Sequence, residues 1–200
     1  MASGVFMRVV ALVCSAREHG NCYYLTEFMM KRLRTKGIET EIINAYDYEI
    51  TPCSHCRYEC FEAPKSCPIH DDVPEIWRRL KEAEGVVLAI PTYYGMPSAL
   101  FKSLIERAQG VLDWVTIEFR DLESVWKGKI VLLLVVSNGG GRSVLETVSQ
   151  QLPKARILKA LFSYRDYGST GYQGDLIQNP DVISHLEELA DEMFSYLRPT

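Results

Sequence analysis

The chain has 200 residues, 47% of them hydrophobic and 24% charged, with a formal net charge of −4. That length fits one domain whose core needs no disulfide to hold it. The composition is that of a soluble globular protein, and the 22 basic residues are scattered, which argues against nucleic acid as a partner.

No apolar run reaches the roughly 18 residues of a membrane span. The lead-in Ser3-Gly4-Val5-Phe6-Met7-Arg8 lacks the charged n-region of a signal peptide. The expectation is a cytoplasmic, reducing setting, without membrane association. There, clustered cysteines read as metal ligands or redox thiols rather than disulfides.

The pattern along the chain is strand, loop, helix, repeated. Residues 5–13 form a near-continuous apolar run ending at Cys14-Ser15, as in a strand covered on both faces of a parallel sheet. Residues 21–36 carry Leu25, Phe28, Met29 and Leu33 at helical spacing, and Gly37 ends the helix. Its Arg32, Arg34 and Lys36 read as a solvated basic face. Residues 38–44 alternate as a second strand, and a cysteine-rich insertion follows at about 51–71. Asp72 is placed as the N-cap of the next helix, with Pro74 in its first turn and Val73, Ile76, Trp77 and Leu80 on one face. Residues 86–90 are the third strand, 97–112 the third helix and 130–136 the fourth and most apolar strand. Residues 144–152 read as a helix and 156–162 as a fifth strand. A closing helix spans 182–197, with Ile183, Leu186, Leu189, Ala190 and Met193 inward.

Five strands alternating with helices predict a single α/β domain over 1–200. The expected architecture is a doubly wound, five-stranded parallel sheet with helices on both faces, a three-layer sandwich. Ligands of such sheets bind outside the carboxyl ends of the strands, where strand order reverses. The loops after the first, third and fourth strands are therefore the candidates.

The first loop runs Cys14-Ser15-Ala16-Arg17-Glu18-His19-Gly20-Asn21-Cys22. It meets a helix N-terminus, where free N–H groups and the helix dipole favour an anion. Ser15 offers a hydroxyl, Arg17 a charge, and Gly20 and Asn21 suit a tight entry to the helix. An ordinary polar loop with an Asn cap is the plainer reading. The loop is neither the dinucleotide fingerprint nor a Walker A loop. The second loop, Pro91-Thr92-Tyr93-Tyr94-Gly95-Met96-Pro97-Ser98, reads as a rigid wall against a flat ring or as a tyrosine-rich surface turn. The third, Ser137-Asn138-Gly139-Gly140-Gly141, permits close backbone approach or serves as a flexible linker.

In their joint order these motifs resemble the flavodoxin-like NADPH-dependent FMN reductase family, and its iron–sulfur flavoprotein branch in particular. The family's G-S-x-R-x-x-G-N-T loop is matched by Ser15, Arg17, Gly20 and Asn21, with Cys14 and Cys22 departing from its Gly and Thr. Its P-x-Y loop is matched by Pro91 and Tyr93, its Lys and Arg on the next helix by Lys102 and Arg107, and its Gly-Lys by Gly128-Lys129. A late glycine-rich stretch, Tyr167-Gly168 to Gly174-Asp175, is also similar. The resemblance covers most of the chain. It implies FMN, with its phosphate on Ser15, Arg17, Asn21 and Cys22 and its ring between 91–95 and 137–141, including Thr92, Tyr94, Gly95, Ser137, Asn138, Gly139 and Gly140. It also implies NAD(P)H as co-substrate. Flavin chemistry asks the protein for position and electrostatics, so no catalytic acid or base is assigned.

The cysteines Cys53, Cys56, Cys60 and Cys67 are spaced C-x2-C-x3-C-x6-C. A compact run of four thiolates is the ligand pattern of a [4Fe-4S] cluster. Iron–sulfur flavoproteins resemble this with C-x2-C-x2-C, a fourth Cys and then two aspartates. Here Asp71-Asp72 follow, while one extra residue separates Cys56 from Cys60. Zinc with His55 or His70, and free thiols covering the flavin, are the other two readings. His19 and His185 read as surface residues.

The connection 110–126 carries Val111, Leu112, Trp114, Val115, Ile117, Phe119 and Trp126, an apolar load read as packing against another subunit in a homodimer or homotetramer. The leading expectation is an FMN-dependent oxidoreductase passing electrons to a small acceptor (a quinone or flavin) or a redox protein. The alternatives are an iron–sulfur electron carrier working with ferredoxin-like partner proteins, and a non-catalytic flavin- or metal-binding regulator.

Overall fold

The computed structural model describes residues 7–54, 56–57, 59–61, 67–112 and 121–198. Val5 and Phe6 of the first predicted strand, His55, and the apolar residues Trp114, Val115, Ile117 and Phe119 lie outside them. Strand β1 (Arg8–Val13) is buried on both faces beyond its first residue. Its side chains divide by parity, as a strand's must. Val9, Ala11 and Val13 join one core, and Val10, Leu12 and Cys14 join the other.

Helix α1 (Asn21–Thr35) follows β1 and leads to β2 (Glu39–Asn44). It ends in a Schellman turn: the Ile38 N–H reaches the Leu33 carbonyl and the Gly37 N–H reaches Arg34, with Gly37 at φ 84°. Then come α2 (Val73–Glu82), β3 (Gly85–Tyr93), β4 (Met96–Pro97), α3 (Ala99–Val111) and α4 (Asp121–Trp126). The chain closes with β5 (Ile130–Ser137), α5 (Gly141–Ser149), β6 (Arg156–Ser163) and α6 (Pro180–Leu197).

The main sheet is ordered β2-β1-β3-β5-β6 and all its pairings are parallel. Core residues from α1 and α6 cover one face, and those of α2, α3, α4 and α5 cover the other. The three-layer α/β expectation therefore holds. The strand count differs: six are formed rather than five, because β3 turns back into the two-residue, antiparallel β4.

Two other expectations change. Asp72 is the N-cap residue of α2, as expected, with Pro74 in the first turn, but its side chain makes no capping bond. Asp71 accepts from the Val73 N–H at 3.2 Å instead, while Asp72 accepts from the Glu49 N–H at 2.7 Å. The basic face of α1 is not merely solvated, since Arg32 pairs with Glu187 at 3.1 Å and Lys36 pairs with Asp191, both on α6. Lys129, from the matched Gly-Lys, is buried and donates to the carbonyls of Lys81 and Ala83 at the end of α2.

The expected subunit-facing stretch at 110–126 is corrected at its described ends. Leu112 and Trp126 are buried in this chain's own core, and Val111 packs against it. Trp126 meets Trp77 edge-to-face at 6.0 Å, and the Trp77 indole donates to the Leu104 carbonyl at 3.2 Å. Trp126→Ala is thus expected to cost about 3–5 kcal/mol of unfolding free energy in a denaturant titration. The oligomeric mass by light scattering should not change; dissociation without loss of subunit stability would restore the interface reading.

Candidate functional site

The strand order reverses at β1: the chain pairs β2 on one side of it and β3 on the other. A cleft of about 260 Å³ opens there, at the carboxyl ends of the strands. Ser15, Arg17, Gly20, Asn21 and Cys22 line it from the first loop, Pro91, Thr92 and Tyr93 from the second, and Asn138 from the third. The three predicted loops are therefore brought together.

The phosphate-loop expectation rests on the entry to α1. Gly20 caps this helix without a side-chain bond, and its carbonyl takes the N–H groups of Tyr23 and Tyr24. Ser15 is buried, and its Oγ accepts from the Arg17 N–H at 3.1 Å, folding the loop back on itself. Asn44, at the end of β2, holds the Glu18 carbonyl at 2.9 Å. The positive end of the α1 dipole and the Arg17 guanidinium thus share one end of the cleft. Cys22 is buried at the first turn, and burial pushes its thiol up to about 12, keeping it protonated.

Asn21 lines the cleft, with its side-chain amide already partnered within the chain. Its amide donates to the Tyr172 carbonyl at 3.0 Å and to Asp175 at 2.9 Å, and accepts from the Leu176 N–H at 3.2 Å. It therefore anchors the glycine-rich stretch 168–175 against the cleft. Asp175 also takes Ser169 Oγ, Thr170 N and Thr170 Oγ1 at 2.8, 2.8 and 3.1 Å. Burial alone would raise its carboxyl, yet these donors hold it below the usual range.

The other end of the cleft is a wall. Pro91 is buried, and Thr92 Oγ1 is buried with no protein partner. An unpaired buried hydroxyl costs roughly 1–3 kcal/mol, so its presence beside a cleft favours a ligand atom that pairs it. Tyr94 and Gly95 both take positive φ, 52° and 76°, as a two-residue hairpin turn requires. This sends Tyr94 into solvent rather than into the cleft. A Cβ at Gly140 would stand 2.6 Å from Gly95 Cα, so the second and third loops meet backbone to backbone. Ser137 is occupied with the Gly139 backbone. Tyr94, Gly95, Ser137, Gly139 and Gly140 accordingly shape the cleft without lining it.

Sequence reasoning missed Val136, Tyr164 and Thr170 as lining residues. Tyr164 follows β6, and its ring packs where a Gly171 Cβ would stand only 2.9 Å away. Only the similar glycine-rich stretch carried a signal for this side of the cleft.

The cysteine segment is built around Arg107. This buried side chain pairs bidentately with Asp71 at 2.7 and 3.1 Å and also donates to the carbonyls of Thr51 and Ile69 at 2.9 and 3.3 Å. It thus holds both ends of the segment to α3. Cys60 and Cys67 lie beside Gly110, where a Cβ would come within 3.1 and 3.2 Å of theirs. Cys53 is exposed, and Cys56, Cys60 and Cys67 are half-buried free thiols. Burial, then the neighbouring thiols, raise Cys53 and Cys60. Four thiols are the donor set a cluster needs. However, among the described residues no three His, Cys, Asp or Glu side chains are arranged to hold a metal ion. The expected ligand cage at Cys53, Cys56, Cys60 and Cys67 is therefore not formed, and neither is one with His70.

Fold and cleft define a flavodoxin-like α/β protein whose switch-point cleft has a helix N-terminus and Arg17 at one end. Comparison with known proteins agrees. The model for "NADPH-dependent FMN reductase" matches residues 7–167. An iron–sulfur flavoprotein of Methanocaldococcus jannaschii is 34% identical over 84% of this chain and 81% of its own. One from Archaeoglobus fulgidus is 30% identical over 96% and 92%. The NAD(P)H:quinone oxidoreductase from Methanothermobacter marburgensis superposes with a TM-score of 0.67 at 12% identity over 98% of each chain, a likeness of fold. The chain belongs to the NADPH-dependent FMN reductase family, in the branch that contains the iron–sulfur flavoproteins. The cleft residues fit FMN, on the orphaned Thr92 hydroxyl and the anion-ready entry to α1.

The Asp71–Arg107 pair yields a test. Burial would raise Asp71, but the bonds from Arg107, Thr51 N and Val73 N lower it below the ordinary 3.8. A depressed folded value contributes stability that is complete above the unfolded value and lost as pH falls through the folded one. Wild-type stability should therefore drop more steeply below about pH 4 than that of Asp71→Asn. At neutral pH the variant should be less stable by about 3–5 kcal/mol, since it strands a buried cation. Parallel acid limbs in chemical denaturation would contradict this.

Proposed function

We propose that the chain is an FMN-dependent oxidoreductase that accepts hydride from NAD(P)H and passes electrons to a small acceptor, such as a quinone or flavin, or to a redox protein. The observation that carries it is the cleft itself. An anion-ready helix terminus with Ser15 and Arg17 stands at one end, and the Pro91–Tyr93 wall with its unpaired Thr92 hydroxyl at the other. When bound, FMN supplies the hydride and electron chemistry. The chain's part is positional. Ser15, Arg17 and the first turn of α1 hold the phosphate. Thr92 donates to or accepts from the ring edge, while Pro91, Tyr93 and Asn138 fix its plane. Asn21 and Cys22 shape the phosphate end.

A second reading, an electron carrier with an iron–sulfur cluster, draws support from the four cysteines of the segment, two of which, Cys60 and Cys67, lie together beside Gly110, and from the names of the relatives. The proposal further includes self-association, for which Trp114, Val115, Ile117 and Phe119 are the apolar candidates in the sequence. A cytoplasmic location is part of the same proposal. Among the described residues no helix is long and apolar enough to cross a membrane.

The two readings separate in anaerobic stopped flow. The enzyme reading expects NADH or NADPH to bleach the flavin absorbance within one turnover time. Reduction that is slow with both but fast with a reduced ferredoxin-type donor would favour the carrier. Arg17→Ala should weaken FMN binding at least about tenfold, the worth of a charged hydrogen bond. Unchanged affinity in a fluorescence titration would refute the placement of the phosphate.

A further inference from the structure

A second groove, of about 360 Å³, adjoins the cofactor cleft and shares Arg17, Gly20 and Gly171 with it. Those are the residues of the phosphate end. The groove's remaining wall is Glu18, His19, Tyr172 and Gln173. We propose that this groove is a subsite for an adenosine 5′-phosphate unit, continuous with the phosphate end of the flavin site. The proposal rests on the flavin reading of the cleft.

Three features carry it. The first is an aromatic surface that the fold leaves uncovered but holds still. Tyr172 is 74% exposed. Its backbone is nevertheless fixed, because its carbonyl accepts from the buried Asn21 at 3.0 Å and its N–H donates to Thr170 Oγ1 at 3.3 Å. His19, also exposed, is set edge-to-face against Tyr23 at 4.7 Å. Flat, presented rings of this kind suit a stacked base.

The second feature is charge. The groove holds one cation, Arg17, and one anion, Glu18. That balance suits a neutral nucleoside whose phosphate lies toward the Arg17 end. The third is the acceptor itself. Glu18 lines the groove, and its backbone is held there by Asn44, which donates to the Glu18 carbonyl at 2.9 Å. Carboxylates pair with the paired hydroxyls of a ribose in dinucleotide-binding folds. A planar base, a ribose and one phosphate make adenosine 5′-phosphate the class of ligand that meets all three demands. Two molecules present that unit: FAD, and the nicotinamide dinucleotide co-substrate.

The test is calorimetric. Flavin-free protein is titrated with FMN, FAD and AMP, and FMN-loaded protein with AMP, in wild type, Tyr172→Ala and Glu18→Gln. Saturable AMP binding is expected in wild type. It should weaken about tenfold in Tyr172→Ala through loss of stacking, with FMN affinity unchanged in both variants. FAD affinity above that of FMN, erased by Tyr172→Ala, assigns the unit to the flavin. Equal flavin affinities with AMP competing against NADH in steady state assign it to the dinucleotide. No AMP binding at millimolar concentration, with a ratio of FAD to FMN affinity that neither variant changes, overturns the subsite. Failure to bind either flavin would instead sink the flavin reading, and the AMP titration of the flavin-free chain would still decide the groove.

Discussion

The site exists because β1 is paired on both sides by strands that the chain reaches in opposite directions. Strand β2 lies to one side and β3 to the other. With parallel pairing and right-handed crossovers, the helix after β1 must cover one face and the helix after β2 the other. The cores agree: α1 contributes Leu25, Met29 and Leu33 to one cluster, while α2 contributes Ile76, Trp77 and Leu80 to the other. The loops after β1 and β3 therefore part at their tips and leave a crevice. Side chains added to this scaffold decide only what fills it.

Two devices then hold the crevice in shape. One is the backbone contact between Gly95 and Gly140, which binds the hairpin after β3 to the turn after β5. A Cβ at Gly140 would force these loops apart. The other is the Asn21–Asp175 pair, which carries the stretch 168–175 back over the entry to α1. Together they use the glycines and small polar residues that look like loose linker in the sequence. The buried Arg107 acts similarly at the other edge, where it binds the ends of the cysteine segment to α3.

Much of this was legible from the chain, and the reasons differ by element. The strands were legible because both faces of β1, β3 and β5 are buried, which leaves unbroken apolar runs. The cleft was legible because the reversal rule points to loops, not to particular side chains. What failed was whatever depended on direction or return. Trp126 belongs to an apolar stretch, yet apolarity does not say whether a side chain faces its own core or a partner. Strand β4 escaped because a two-residue pairing leaves no period to read. Tyr164 and Thr170 reach the cleft from beyond β6, across a distance in sequence that no local pattern spans. Asp72 was legible as the N-cap of α2, but the sequence does not say that its side chain turns to the Glu49 N–H while Asp71 takes the Val73 N–H and the Arg107 guanidinium.

The central claim is that the crevice beside β1 takes FMN. Its most direct measurement is an absorbance and fluorescence titration of the anaerobically purified protein with FMN, with iron and acid-labile sulfide determined on the same sample. The account predicts one FMN per chain with quenched flavin fluorescence, whether or not iron accompanies it. A colourless protein that takes up no added FMN would contradict it.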